Sequence, residues 1–62
     1  MREFYVRIFC DSDAFYEDAC TEVARILRKL ADAVETGMIV DAMHEALRDI
    51  NGNSVGTVGY YS

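Results

Sequence analysis

Asp49-Ile50-Asn51-Gly52-Asn53-Ser54-Val55-Gly56 is a turn sequence flanked by residues that favour β-strands. Asn51 and Gly52 supply the positive-φ conformations that a tight hairpin turn requires, because glycine has no Cβ and asparagine tolerates the left-handed region. The chain is therefore predicted to fold back near its end, with the preceding residues packed against this hairpin. This signal indicates an architecture and carries no chemistry.

Strands are predicted on both sides of the turn, over 46–50 and 54–61. In the second of them one face carries Val55, Thr57, Gly59 and Tyr61, and the other carries Ser54, Gly56, Val58 and Tyr60. Glycines within a strand commonly mark a bulge or the close approach of another backbone.

A further strand is predicted at the start of the chain, over 3–10. Its alternation places Phe4, Val6, Ile8 and Cys10 on a core face, and Glu3, Tyr5, Arg7 and Phe9 on a half-exposed face. We expect Tyr5 and Phe9 to share the outer face of the sheet with Val58 and Tyr60.

A helix is predicted between its N-cap residue Asp18 and the C′ glycine Gly37. Its apolar stripe consists of Val23, Ile26, Leu27, Leu30, Ala31 and Val34. Its polar side consists of Glu22, Arg25, Arg28, Lys29, Asp32 and Glu35. These charged residues are predicted to pair along the helix rather than to bind phosphate.

The segment 38–47 is ambiguous, because Ile39, Met43 and Leu47 recur at four-residue steps. We favour a second short helix up to about Glu45; the alternative is an irregular connection into the next strand. The predicted fold is α+β: a three-stranded antiparallel sheet with one main helix packed on one face, in the order β-α-(α)-β-β. A single domain spans 1–62, and a homodimer is expected because so small a chain buries only about 60% of its unfolded surface.

The composition of the chain limits the kinds of partner and the cellular compartment that we expect. Eleven acidic and six basic residues give a net charge of −5, which disfavours direct binding to nucleic acid and is compatible with a basic protein partner, including one that itself binds nucleic acid. The chain has no apolar run long enough to span a membrane, and Glu3 and a strand pattern at its start argue against a secretory signal. A cytoplasmic protein is expected, with Cys10 and Cys20 as buried thiols, although one disulfide bond between them is conceivable.

The helix Glu22–Asp32, EVARILRKLAD, and the hairpin Leu47–Gly56, LRDINGNSVG, resemble those of short accessory proteins encoded by bacteriophages and prophages. The resemblance covers about two thirds of the chain, and it departs at 37–46, where such proteins pass almost directly into the hairpin. It implies a fold and a genomic setting. In that setting, small acidic proteins often bind and inhibit a component of a host defence system, acting in the host cytoplasm.

The residues predicted to bind a partner are the exposed rings and the acids near the end of the first strand. They are Tyr5, Phe9, Tyr60, Tyr61, Asp11, Asp13 and Glu17. Tyrosine combines a large apolar area with a polar tip, and carboxylates steer a basic partner. We therefore expect a protein-binding module that is not an enzyme, with no catalytic residue, metal or cofactor.

Two alternatives stay open: a dimer that sequesters a small molecule or nucleotide, and a small metal-dependent enzyme using the acids of 11–18. These acids do not have the spacing of a calcium loop. His44 lies near Asp41 and Glu45 without any catalytic signature, and a surface histidine is the simpler interpretation.

Overall fold

The computed structural model describes residues 2–38 and 42–61 and confirms the α+β fold. Within this part of the chain, three strands form one antiparallel sheet in the order β1-β3-β2. The elements are β1 (Glu3–Ile8), a 3-10 turn (Asp13–Phe15), α1 (Ala19–Glu35), β2 (Met43–Arg48) and β3 (Ser54–Tyr61). The strand that comes last in the sequence, β3, is thus the central strand of the sheet.

The hairpin between β2 and β3 is confirmed, but its turn contains one left-handed residue and not two. Gly52 has φ 85°, whereas Asn51 is not among the described residues with positive φ. The Gly52 N–H donates to the carbonyl of Asp49 at 3.0 Å, and the Asp49 N–H donates to the carbonyl of Asn53 at 2.9 Å. This pattern belongs to a three-residue loop over 50–52, which needs positive φ only at its last residue.

A β-bulge follows the hairpin, as the glycines of β3 suggested. Leu47 lies opposite Gly56, but Arg48 lies opposite Ser54, so Val55 is an additional residue on β3. The bulge breaks the alternation of side chains. Val55 is consequently buried in the same core as Val58, and the prediction that these two valines lie on opposite faces is wrong.

The core lies between α1 and one face of the sheet. Its buried apolar members are Phe15, Ile26, Leu30, Met43, Leu47, Val55 and Val58. Val58 is fully inaccessible to solvent because it lies at the centre of β3 beneath the helix. Within the predicted apolar stripe of the helix, Leu27 is still 45% exposed, so α1 does not cover the sheet completely.

Both ends of α1 are built as predicted. The Asp18 carboxylate accepts hydrogen bonds from the backbone N–H of Thr21 at 3.1 Å and from its hydroxyl at 2.6 Å. At the other end, Gly37 has φ 94° and its N–H donates to the carbonyl of Val34, while the N–H of Met38 donates to that of Ala33. These two bonds form a Schellman motif, which satisfies carbonyls at the helix end.

The predicted second helix is wrong where the structure describes it. β2 already begins at Met43, and Glu45, the expected helix end, is a strand residue opposite Val58. The four-residue step from Met43 to Leu47 is equally compatible with one face of a strand, on which every second residue recurs. The part of this prediction that falls on 39–41 lies outside the described residues.

The cysteines also differ from expectation. Cys10 and Cys20 are both free and both exposed. Cys10 lies beyond the end of β1 at Ile8, where the strand pattern no longer points it at the core. Cys20 lies in the first turn of α1, where it shares a shallow apolar depression with Val23 and Leu27. Neither thiol contributes to the core.

Candidate protein-binding surface

The sheet has a second face that α1 leaves open, and we call it the free face. Strand register assigns its residues, because side chains of directly opposed residues point to the same side. Glu3 lies opposite Tyr61, and Tyr5 lies opposite Gly59, which in turn lies opposite His44. The remaining members are Arg7, Ala46 and Thr57.

Two tyrosines on the free face are held in a defined arrangement. The ring of Tyr5 lies over Gly59 so closely that a Cβ at this glycine would come within 2.5 Å of the ring atoms. The ring centroids of Tyr5 and Tyr61 are 6.2 Å apart with 58° between their planes, a favourable tilted pair. The Tyr61 hydroxyl donates to Oε1 of Glu3 at 2.6 Å, and this bond raises the pKa of Tyr61.

Tyr60 does not belong to this arrangement. It lies opposite Phe4 and Met43, half-buried against the core under the helix, and Val58 is likewise on the helix side. The predicted sharing of the outer face by Tyr5, Val58 and Tyr60 is therefore wrong by one residue. Tyr61 is the neighbour of Tyr5 instead, because Tyr5 opposes Gly59 and Tyr61 is two residues further along β3.

The other predicted site residues lie beyond the opposite end of β1. Phe9 is 56% exposed, and Asp11, Asp13 and Glu17 are exposed in the connection to α1, which we call the acidic linker (residues 11–17). Glu3 and Phe9 are separated by about 20 Å, the length of six extended residues. Of the seven predicted residues, Tyr5 and Tyr61 form the tyrosine pair, the three acids lie in the acidic linker, Phe9 is exposed just after β1, and Tyr60 packs against the core.

The sequence analysis missed Tyr16 as a candidate. Its side chain is 89% exposed, and it shares a shallow surface depression with Asp13 and Glu17. An aromatic ring between acids in a short polar connection is the signal that could have identified it. In the described part of the chain, no group of three or more His, Cys, Asp or Glu side chains is placed to hold a metal ion.

Beneath the linker, a buried carboxylate fixes the hairpin loop. Asp49 is only 5% exposed and accepts hydrogen bonds from the Ser12 hydroxyl at 2.6 Å and from the N–H groups of Asn51 and Asn53 at 2.9 Å each. The Asn53 side-chain amide donates to it as well. One side chain therefore ties the loop both to itself and to the linker.

A second buried carboxylate attaches the same loop to the helix. Glu22 is 6% exposed, accepts two hydrogen bonds from Arg25 at 2.8 and 3.0 Å, and accepts the Ile50 N–H at 2.9 Å. The sequence analysis placed Glu22 on the solvent side of α1, which is wrong. The loop of the hairpin reaches over the start of the helix and encloses this side chain.

Hydrogen bonds lower the pKa of the carboxyl groups of Asp49, Glu22 and the helix cap Asp18. The largest cause is the Ser12 hydroxyl for Asp49, the Arg25 guanidinium for Glu22 and the Thr21 hydroxyl for Asp18. Desolvation opposes each shift without reversing it. The folded protein therefore holds these groups ionised at a lower pH than the unfolded chain does.

This difference predicts acid-induced unfolding. A lowered folded-state pKa stabilises the protein fully above about pH 5, where the unfolded carboxyls are ionised too, and the stabilisation is lost as the pH falls through the folded values. We expect the thermal midpoint of Asp49→Asn to fall less steeply than that of the wild type between pH 5 and pH 2. Circular dichroism melts across this range test it, with the exposed Asp11→Asn as control. Parallel pH profiles for wild type and Asp49→Asn would contradict the prediction.

Comparison with models of known protein families, with curated proteins and with solved structures gives no match. In the described residues, no helix has the length and apolarity needed to cross a membrane. His44 is exposed on β2 rather than on a helix. The arrangement that the structure shows is a small sheet with a tyrosine pair on its open face and an acidic linker beyond one end.

Proposed function

We propose that this protein acts by binding another protein and not by catalysing a reaction. The observation that carries the proposal is the pair formed by Tyr5 and Tyr61 on the free face. A ring held against a glycine and a hydroxyl held by Glu3 lose little conformational freedom when a partner arrives. Preorganised aromatic side chains of this kind commonly supply most of the energy at protein interfaces.

The charge of the surface favours a basic partner. The net charge is −5, and the acidic linker exposes Asp11, Asp13 and Glu17, the last two in one depression with Tyr16. Such a cluster accelerates the encounter with a positively charged protein, including one that ordinarily binds nucleic acid. In our proposal the linker steers the partner and the tyrosine pair anchors it.

The resemblance to phage accessory proteins makes the proposal more specific. We propose that the partner is a host defence protein, that binding inhibits it, and that the protein works in the host cytoplasm. The direct test is a phage plating assay on bacteria carrying a defence system, with and without this protein. Restored plating that depends on Tyr61 supports inhibition, and unchanged plating across the tested systems contradicts it.

A binding assay tests the proposed surface. Tagged protein is incubated with bacterial lysate, and the captured protein is identified and its affinity for the purified chain is measured. We expect Tyr61→Ala to weaken binding by about tenfold to thirtyfold, as is typical when an aromatic anchor is truncated. Tyr16→Ala is the matched control, because it removes a tyrosine ring that is more exposed than Tyr61, at 89% against 48%, and lies outside the free face.

The two variants separate the two surfaces. Loss of binding in Tyr61→Ala, with unchanged helix content by circular dichroism, supports the free face. Loss in Tyr16→Ala alone would assign the binding to the acidic linker and overturn the role of the tyrosine pair.

A further inference from the structure

The two edges of the sheet differ in how they are protected. On β2, the charged Glu45 lies on the helix side between Met43 and Leu47, and the bulge in the neighbouring strand β3 interrupts the pairing between Leu47 and Arg48. Inward-pointing charges and bulges discourage an edge strand from pairing with another chain. β1 has neither device: it spans six residues, and its register with β3 is unbroken from Glu3 to Ile8.

An open apolar groove runs beside the unprotected edge. It lies between β1 and α1, and its lining is formed by Phe4, Val6, Leu27, Leu30, Ala31, Val34 and Glu35. Phe4 is 41% exposed, Val6 37% and Leu27 45%, although all three point into the space between helix and sheet. On the helix side, Met43, Leu47 and Val58 of β2 and β3 are buried, whereas Phe4 and Val6 of β1 remain exposed.

The backbone of β1 has hydrogen-bonding groups available at this edge. The Phe9 N–H donates to the carbonyl of Val55, so Phe9 forms a hydrogen-bonded pair with β3. Such pairs alternate along an antiparallel ladder. The N–H and C=O groups of Phe4, Val6 and Ile8 therefore point away from β3, toward the open edge.

We propose that β1 pairs in antiparallel fashion with β1 of a second copy of this chain, with Tyr5 opposite Tyr5. In this register Phe4 lies opposite Val6 of the second copy, in a hydrogen-bonded pair on the groove side. On the free face, Glu3 lies opposite Arg7 of the second copy. Two-fold symmetry repeats each contact, so the strand is complementary to itself in both charge and apolarity.

Charge selects this register from the neighbouring ones that keep the same faces together. If the second copy is shifted by two residues in one direction, Arg7 lies opposite Tyr5 of the second copy. A further shift by two residues places Arg7 opposite Arg7 of the second copy. Opposite charges directly across a strand pair stabilise it and like charges destabilise it. Only Oε1 of Glu3 is used by the Tyr61 hydroxyl, which leaves its other oxygen for Arg7 of the second copy.

This inference goes beyond the proposed function, since it concerns self-association and requires no host protein. Its consequence for the surface is a six-stranded sheet with both helices on one side. The tyrosine pairs of the two copies would then lie in one row on the continuous free face.

Charge exchange between positions 3 and 7 tests both the pairing and its register. Sedimentation equilibrium should show a concentration-dependent dimer for the wild type. Glu3→Arg alone and Arg7→Glu alone place like charges opposite each other twice, so we expect each to weaken the dimer by at least about tenfold. Both sites are exposed, so the variants should keep the circular dichroism spectrum of the wild type.

The decisive observation is recovery of the dimer. The doubly exchanged chain Glu3→Arg/Arg7→Glu should dimerise again, and an equimolar mixture of the two single variants should form a heterodimer in preference to either homodimer. A wild type that stays monomeric at millimolar concentration overturns the proposal. So does a dimer that neither single variant weakens.

Crosslinking checks the register independently. In a background with Cys10→Ser and Cys20→Ser, the thiols of Glu3→Cys/Arg7→Cys would face each other across the two copies and form intermolecular disulfide bonds on oxidation. Either substitution alone should crosslink poorly, because identical positions then lie about 13 Å apart along the strands. Equal crosslinking by the single and double variants would contradict the register.

Discussion

Replacing Asp49 with alanine should lower the midpoint of thermal unfolding by about 10 to 20 °C, a large loss for a domain of this size. The carboxylate is almost completely buried and accepts the N–H groups of Asn51 and Asn53 together with the Ser12 hydroxyl. Alanine would remove the acceptor that these three donors share at the buried end of the loop. A buried donor without a partner costs more than the bond itself contributed.

Two control variants test whether the lowered unfolding midpoint comes from the buried carboxylate of Asp49. Ser12→Ala removes one of the hydrogen bonds and should lower the midpoint by only about 5 °C. Asp11→Ala removes a nearby exposed carboxyl and should change little. Amide exchange measured by NMR should show faster exchange at Asn51 and Asn53 in Asp49→Ala. A midpoint within 2 to 3 °C of the wild type, roughly the resolution of such melts, would show that the loop closes without Asp49.

Gly56→Ala should disrupt the sheet even more severely. A Cβ at this position would collide with the carbonyl oxygen of Arg7 and would lie 3.0 Å from Cα of Ile8. Both are backbone atoms of β1, so the clash is relieved only if β1 moves away from β3. We expect the midpoint to fall by more than about 15 °C, or folding to fail altogether.

Gly59→Ala is the matched control, because the three atoms nearest to its Cβ would all belong to the end of the Tyr5 side chain. A side chain can rotate away, so we expect a smaller loss of about 5 °C. Adding Tyr5→Ala should restore much of the unfolding midpoint that Gly59→Ala loses. It should restore none of the midpoint that Gly56→Ala loses. Equal losses for the two glycine variants, as measured by thermal melts, would contradict the distinction between backbone and side-chain contacts.

The local elements could be predicted because each depends on residues close together in sequence. Asp18 and Gly37 mark the ends of α1 through hydrogen bonds and backbone angles within one turn. Gly52 closes the hairpin for the same reason. Alternation predicted strands over 3–10 and 54–61, and the structure has them over Glu3–Ile8 and Ser54–Tyr61. The prediction of a three-stranded α+β fold rested on these signals.

The errors arose where a pattern fits two structures. Met43 and Leu47 are four residues apart, a spacing that both a helix and one face of a strand accept. The assignment of Tyr60 in place of Tyr61 to the free face was an error of one residue in register, and such an error moves every side chain to the other face. Alternation within one strand does not tell which residue of a strand distant in sequence lies opposite it.

The candidate surface was predictable only in part. Tyr5, Tyr61 and the exposed acids Asp11, Asp13 and Glu17 were identified by residue type. In the structure the tyrosine pair lies at the Glu3 end of β1, and the acids lie beyond its other end. Tyr16 was missed because its exposure depends on a turn that leaves the ring outside the core.

The capped helix, the Gly52 turn and the alternating strands β1 and β3 follow from the sequence alone, because their energetics are local. Only the tertiary structure decided that Glu22 and Asp49 are buried, that Val55 joins the core and that β1 keeps an open edge. The physical reason is that burial and register are properties of contacts between distant segments. Charged residues can occupy the interior only where a particular fold brings their hydrogen-bond partners to them.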